Sequence, residues 1–87
     1  MKWTEETVVA KLRENPYFVN FEKEFSGKFI ASYFIDGVMV LVYNAVDGFA
    51  QVYFGWCYLD ADIQSARQFA RIAQGYIQKQ INLHAYK

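Results

Sequence analysis

Apolar side chains recur along this chain at two different spacings, and the change of period divides it into elements. Val8, Val9 and Leu12 follow Thr4 at helical steps. Thr4 is a capping residue, and Glu5 and Glu6 behind it suit the positive end of a helix dipole. Asn15-Pro16 closes the segment, because a proline ring clashes with the preceding turn and drives the residue before it out of helical geometry. The spacing predicts a helix over residues 4–14, with Trp3 and Tyr17 packing at its ends.

From Val19 the period becomes two. Val19, Phe21 and Phe25 alternate with Asn20, Glu22 and Glu24, the pattern of a half-exposed edge strand. Ser26-Gly27 is a turn signal, and Lys28 to Ile35 is the next β-favouring run. Asp36-Gly37 and Asp47-Gly48 are both two-residue hairpin signals, followed by Val38 to Val46 and Phe49 to Tyr58. Asp60 or Asp62 then caps a second helix, in which Ile63, Ala66, Ala70, Ala73 and Ile77 recur at steps of three and four. Phe69, Ile72 and Tyr76 broaden that stripe. Gly75 interrupts it at a cost of about 1 kcal/mol relative to Ala, so either the helix kinks there or another element approaches closely. The order predicts one α+β domain over 1–87: helix, four-stranded antiparallel meander, helix, with the helices mainly on one face of the sheet.

The Asp-Gly turns set a register, and register decides which side chains share a face. Tight turns pair Ile35 with Val38, Tyr33 with Val40 and Ala31 with Val42, then Asn44 with Gln51 and Val42 with Tyr53. One face then collects Val19, Phe21, Ile30, Phe34, Met39, Leu41, Tyr43, Val52, Phe54 and Trp56, and this is the face expected to hold the helices. The other collects Glu22, Glu24, Phe29, Tyr33, Ile35, Val38, Val40, Val42, Asn44, Gln51, Tyr53 and Cys57. A solvated face should be polar, yet the middle of this one is apolar and tyrosine-rich. Either the helices divide between the two faces, or the second face is a contact surface of Phe29, Tyr33, Val40, Val42, Gln51 and Tyr53.

Composition narrows the classes. The 87 residues are 54% hydrophobic and 20% aromatic, which excludes a disordered chain; five Gly and one Pro exclude a linker-like one. Cys57 is the only cysteine, so no disulfide framework exists, and one Cys with one His falls short of a structural zinc site. The chain opens with acidic residues rather than a signal-peptide pattern, and its longest apolar run, Val38 to Tyr43, is too short to cross a bilayer. A cytoplasmic location without a membrane segment is expected. Nine basic and nine acidic residues give no net charge, but the charge is uneven. Residues 60–87 carry four basic and two acidic groups, and Arg67, Arg71 and Lys79 make a mildly basic helix side.

Candidate chemistry is sparse. Cys57 with His84 has no local nucleophile signature, and helix capping accounts for Asp60 and Asp62. No Gly-rich phosphate loop occurs, and no catalytic residue, metal or cofactor is expected. Gly48 to Phe54 partly resembles the RNP1 motif of RNA-recognition domains, whose strand aromatics stack on bases. Asp47 stands where that motif has Lys or Arg, Gln51 replaces an aromatic, and the chain begins with a helix rather than a strand. The helix–strands–helix order is similar to that of double-stranded-RNA-binding domains, but those need a lysine cluster where this chain has Asp60 and Asp62. It is also similar to small secretion-chaperone-like domains, in element order alone. The leading expectation is a non-enzymatic interaction protein (adaptor, small chaperone or phage-type inhibitor) whose sheet face meets another protein or a second copy, as a homodimer. Nucleic-acid or anionic-surface binding through Arg67, Arg71 and Lys79 is the second reading, not favoured by the charge balance. A small-molecule pocket lined by Trp56, Tyr43 and Phe69 is the third.

Overall fold

In the computed structural model the chain is described over residues 2–25, 29–44, 48–57 and 59–85, without the side chains at 57 and 85. Its elements run α1 (Glu5–Leu12), α2 (Pro16–Glu24), β1 (Ile30–Ile35), β2 (Val38–Asn44), β3 (Ala50–Cys57) and α3 (Ile63–Ala85). The class is α+β: two helices, a three-stranded antiparallel sheet of order β1-β2-β3, and a final helix.

α1 forms where its periodicity places it. Thr4 accepts from the Thr7 N–H at 3.2 Å, while the Thr4 N–H donates to the Thr7 hydroxyl at 2.9 Å, so the first turn is capped in both directions. Its inner stripe of Val8, Val9 and Leu12 is buried.

The expected edge strand over Val19 to Phe25 is instead the later part of α2 with Phe25 as its left-handed C-cap, which leaves three strands rather than four. Two local signals outweigh the alternation. Asn15 sits in extended backbone and accepts from the Tyr17 N–H at 2.9 Å, and Pro16 occupies the first helical turn, where its missing N–H costs nothing. The same Asn15-Pro16 that ends α1 therefore starts α2. Phe18, Phe21 and Phe25 are spaced by three and four, so one face of a helix also collects the aromatics, and Val19 is left exposed. Glu22 and Glu24, expected beside the sheet, are helical residues instead.

Glu22 has a specific task there. Arg13 Nε and Nη2 donate to its two carboxylate oxygens at 2.8 and 2.9 Å, and the Tyr76 hydroxyl donates to Oε2 at 2.7 Å, tying the end of α1 to α2 and α3. The Arg13 hydrogen bonds hold the Glu22 carboxyl below the ordinary carboxylate range, against the opposing effect of partial burial. A depressed folded value adds stability that is complete above the unfolded pKa of about 4.3 and vanishes as pH falls through the folded one. Glu22→Gln is therefore expected to cost on the order of 1 kcal/mol near neutral pH, because Arg13 is half exposed and solvent screens the pair. Urea titrations should show that gap closing below about pH 4; a gap unchanged in acid would exclude an ionic origin.

The hairpin between β1 and β2 follows the expected register: Ile35 pairs with Val38, Tyr33 with Val40 and Ala31 with Val42. Asp36 and Gly37 have φ of 47° and 84°, the left-handed pair that a type I′ turn needs. The next connection departs from expectation. Asn44 pairs with Ala50 and Val42 with Val52, one residue off the register of a tight Asp47-Gly48 loop. Residues 45–47, and the turn expected at Ser26-Gly27, lie outside the described residues. A one-residue slip turns every side chain to the other face, so Gln51 and Tyr53 exchange places with Val52. A bulge between the Val40–Phe54 and Val38–Cys57 pairs restores the expected register, which keeps Trp56 on the face assigned to it.

α3 runs unbroken through Gly75, where an added Cβ would meet no heavy atom within 4 Å; neither a kink nor a close neighbour is present. Asp62 caps its start by accepting from the Ser65 N–H at 3.1 Å, whereas Asp60 takes a left-handed φ of 68° in the preceding turn. Ala66, Phe69, Ala70, Ala73 and Ile77 are buried beneath it. The small residues let its backbone approach the sheet, and Phe69 fills the space toward α1.

The expectation of helices on one face holds, but the face is the opposite one. Phe29, Ala31, Tyr33, Ile35, Val38, Val40, Val42 and Ala50 form the core with Val8, Leu12, Phe18, Phe21, Phe69 and Ile77. Four residues expected on an open contact face, Phe29, Tyr33, Val40 and Val42, are thus buried under helices. Packing supplies the reason. Val38, Val40, Val42 and Ala50 make a shallow sheet surface on which an alanine-striped helix can lie closely. On the same face the Phe29 ring meets Phe18 and Phe21 of α2, and Tyr33 meets the end of α1.

Candidate interaction surface

The two faces of the sheet differ in chemistry as well as in cover. On the covered side, the Tyr33 hydroxyl donates to the Leu12 carbonyl at 3.0 Å and satisfies an acceptor at the end of α1. Burial, with the Glu14 carboxylate nearby, raises the Tyr33 phenol well above its usual value. That residue is a structural tie, not a contact point for a partner.

On the other side stand Ile30, Ser32, Phe34, Met39, Leu41, Tyr43, Gln51, Tyr53 and Trp56, as strand alternation and the measured register require. Ile30 is 54% exposed, Phe34 47%, Tyr53 48% and Trp56 49%. Large rings half open to water on both outer strands are unusual for a face whose job is only to meet solvent. Among the described residues no helix lies over them. Of the six sequence-derived contact residues, Gln51 and Tyr53 belong here.

The surface is organised at both ends. Near the Asp36-Gly37 turn, the rings of Phe34 and Trp56 meet edge to face with centroids 5.9 Å apart. Gly55 leaves room beside them for Met39, whose sulfur would stand 3.2 Å from a Cβ at that position. At the far end, Tyr43 and Tyr53 stack at 5.4 Å, and both hydroxyls donate to Gln51 Oε1 at 2.5 Å. Among the described residues no carboxylate, ammonium or guanidinium stands on the face.

One edge of the sheet is dressed by α3. Gln78 Oε1 accepts from the Ala50 N–H at 2.8 Å, and Gln74 Nε2 donates to the Ala50 carbonyl at 3.1 Å. These glutamines occupy outward-pointing backbone groups at the start of β3, a protection that edge strands commonly need.

The remaining candidates are dispersed. Trp56 and Tyr43 lie on the open face and Phe69 in the core, so the sheet separates them and they line no common pocket. His84 stacks on Phe25 with ring centroids 3.5 Å apart, and the Cys57 side chain lies outside the described residues. Arg67 and Arg71 border an open cleft with Lys2, Gln64, Gln68 and Asp62, whereas Lys79 pairs with Glu5 at 3.4 Å. The three basic residues therefore do not act as one group.

Residue type carried a readable signal of the true open face. Along β1 and β2, one alternation is Ala31, Tyr33, Ile35, Val38, Val40, Val42 and the other Ile30, Ser32, Phe34, Met39, Leu41, Tyr43. The first is mostly β-branched and small, as sheet cores are; the second holds the rings and the thioether that favour contact surfaces. No helix of the described chain is long and apolar enough to cross a membrane. In comparison with known proteins, no family model, curated protein or solved structure matches this chain.

Proposed function

We propose that this chain is a cytoplasmic, non-enzymatic protein-interaction module, an adaptor, small chaperone or inhibitor, and that its contact surface is the ring-bearing face of the sheet. The observation that supports this most is the cluster of Phe34, Tyr53 and Trp56, each about half exposed on one uncharged face opposite a filled core. Aromatic side chains with apolar bodies and polar tips are the residues most enriched in protein contacts. Burying them contributes to binding what their exposure withholds from folding.

The test is positional cross-linking. The photoreactive benzoylphenylalanine introduced in place of Phe34 in cells expressing the protein is expected to give a discrete covalent adduct with a polypeptide. Introduced in place of Gln64, on the exposed side of α3, it is expected to give none. Absence of an adduct from position 34, or equal adducts from both positions, overturns the reading.

A further inference from the structure

We infer that the occupant of this face is a second copy of the chain, the two sheets packing face to face about a two-fold axis. The inference rests on the contact-surface reading and adds the identity of the partner.

Charge is the first ground. A two-fold interface sets a patch against itself, so a patch with an excess of one charge sign repels its own copy. Among the described residues the open face carries no ionised side chain, so self-pairing of these side chains meets no such repulsion. A partner selected by electrostatic complementarity would find nothing there to recognise.

Hydrogen bonding is the second. Polar atoms buried in an interface must be paired or they oppose association. Here the Tyr43 and Tyr53 hydroxyls both donate to Gln51 within the same chain, so they enter the interface already satisfied. That end of the face therefore brings two hydroxyls into the interface without asking a partner to match them, and an identical surface suffices there.

Size is the third. Half-exposed Ile30, Phe34, Tyr53 and Trp56, with the partly exposed side chains between them, present on the order of 600 Å². Two copies then bury roughly 1,200 Å², which reaches the lower bound for a specific dimer. The product is a four-layer particle, helices outside and two sheets about 10 Å apart inside. A two-fold axis running along the strands sets the Phe34–Trp56 end of one copy on the same end of the other, apolar against apolar.

Sedimentation velocity over a range of micromolar concentrations reads the outcome. The wild-type protein is expected to reach twice the chain mass, and Trp56→Glu to return to the monomer mass with its far-ultraviolet circular dichroism unchanged. Ile30→Lys, at the other end of the face, provides the same reading should Trp56→Glu fail to fold. Arg71→Glu, on the exposed side of α3, should leave the dimer intact. A wild-type protein that stays monomeric overturns the inference, and so does a dimer that survives the face substitutions. Cross-linking then separates the two ideas: a Phe34-position adduct of any mass other than a dimer's keeps the contact surface and removes the second copy, whereas no adduct removes both.

Discussion

Phe69→Ala should lower the stability of the folded chain by about 3–5 kcal/mol, the range seen when a fully buried ring is deleted without repacking. Phe69 has no exposed surface, and its ring meets Trp3 edge to face at 4.9 Å and Tyr33 at 5.8 Å. Neither neighbour is able to follow the missing ring inward. Trp3 is held by Nε1 donating to Ser65 Oγ at 3.1 Å and by its backbone N–H on Gln68 at 3.0 Å. Tyr33 is held by its bond to the Leu12 carbonyl. The cavity therefore persists, and the cavity is what makes such deletions costly. Domains of this length have roughly 4–13 kcal/mol in total, so the variant sits near or past its folding threshold. Urea titration should show the midpoint falling with the slope preserved. A loss under about 1 kcal/mol would mean that the ring is not the centre of the core.

A pair of glutamate substitutions should separate the two sheet faces by an effect of similar size. Val42→Glu is expected to unfold the protein, because Val42 is fully buried and, among the described residues, no cation stands within the core to pair the new carboxylate. Burying an unpaired charge costs several kcal/mol even after relaxation. Tyr53→Glu, on the neighbouring strand but half exposed on the opposite face, is expected to cost about 1 kcal/mol through loss of its stack on Tyr43 and its bond to Gln51. Thermal melts at low protein concentration keep association from contributing to either value. A folded Val42→Glu together with an unfolded Tyr53→Glu would reverse the assignment of the faces.

That assignment shows where one-dimensional reading succeeds. The hairpin at Asp36-Gly37 was legible because its turn residues are local: Asp and Gly at left-handed φ force a two-residue loop, and the loop forces the pairing. The cap at Thr4 and the stripe of α3 were legible for the same reason. At 19–25 the local signals conflicted. Phe18, Phe21 and Phe25 satisfy a helical period, while Val19, Phe21 and Phe25 with the charges between them suggest alternation. The Asn15 cap with Pro16 behind it decides for the helix, and a proline read only as a terminator hides that it also initiates.

The uncovered aromatic face was legible in kind and misplaced in position. A sheet with one apolar face too many was visible from alternation alone; which face stayed open was not. Two tertiary facts decided it. The connection into β3 slips the register by one residue and a bulge later restores it, so Gln51 and Tyr53 join Phe34 and Trp56 on one side. The helices lie on the side where the alanine stripe of α3 meets Val38, Val40, Val42 and Ala50, with Phe69 against Tyr33. Sequence alone thus determined the class, the first hairpin and the presence of an aromatic sheet surface, since each follows from interactions between near neighbours. Helix against sheet face, and the pairing of β3, depend on how distant surfaces fit together, and only the folded chain could decide them.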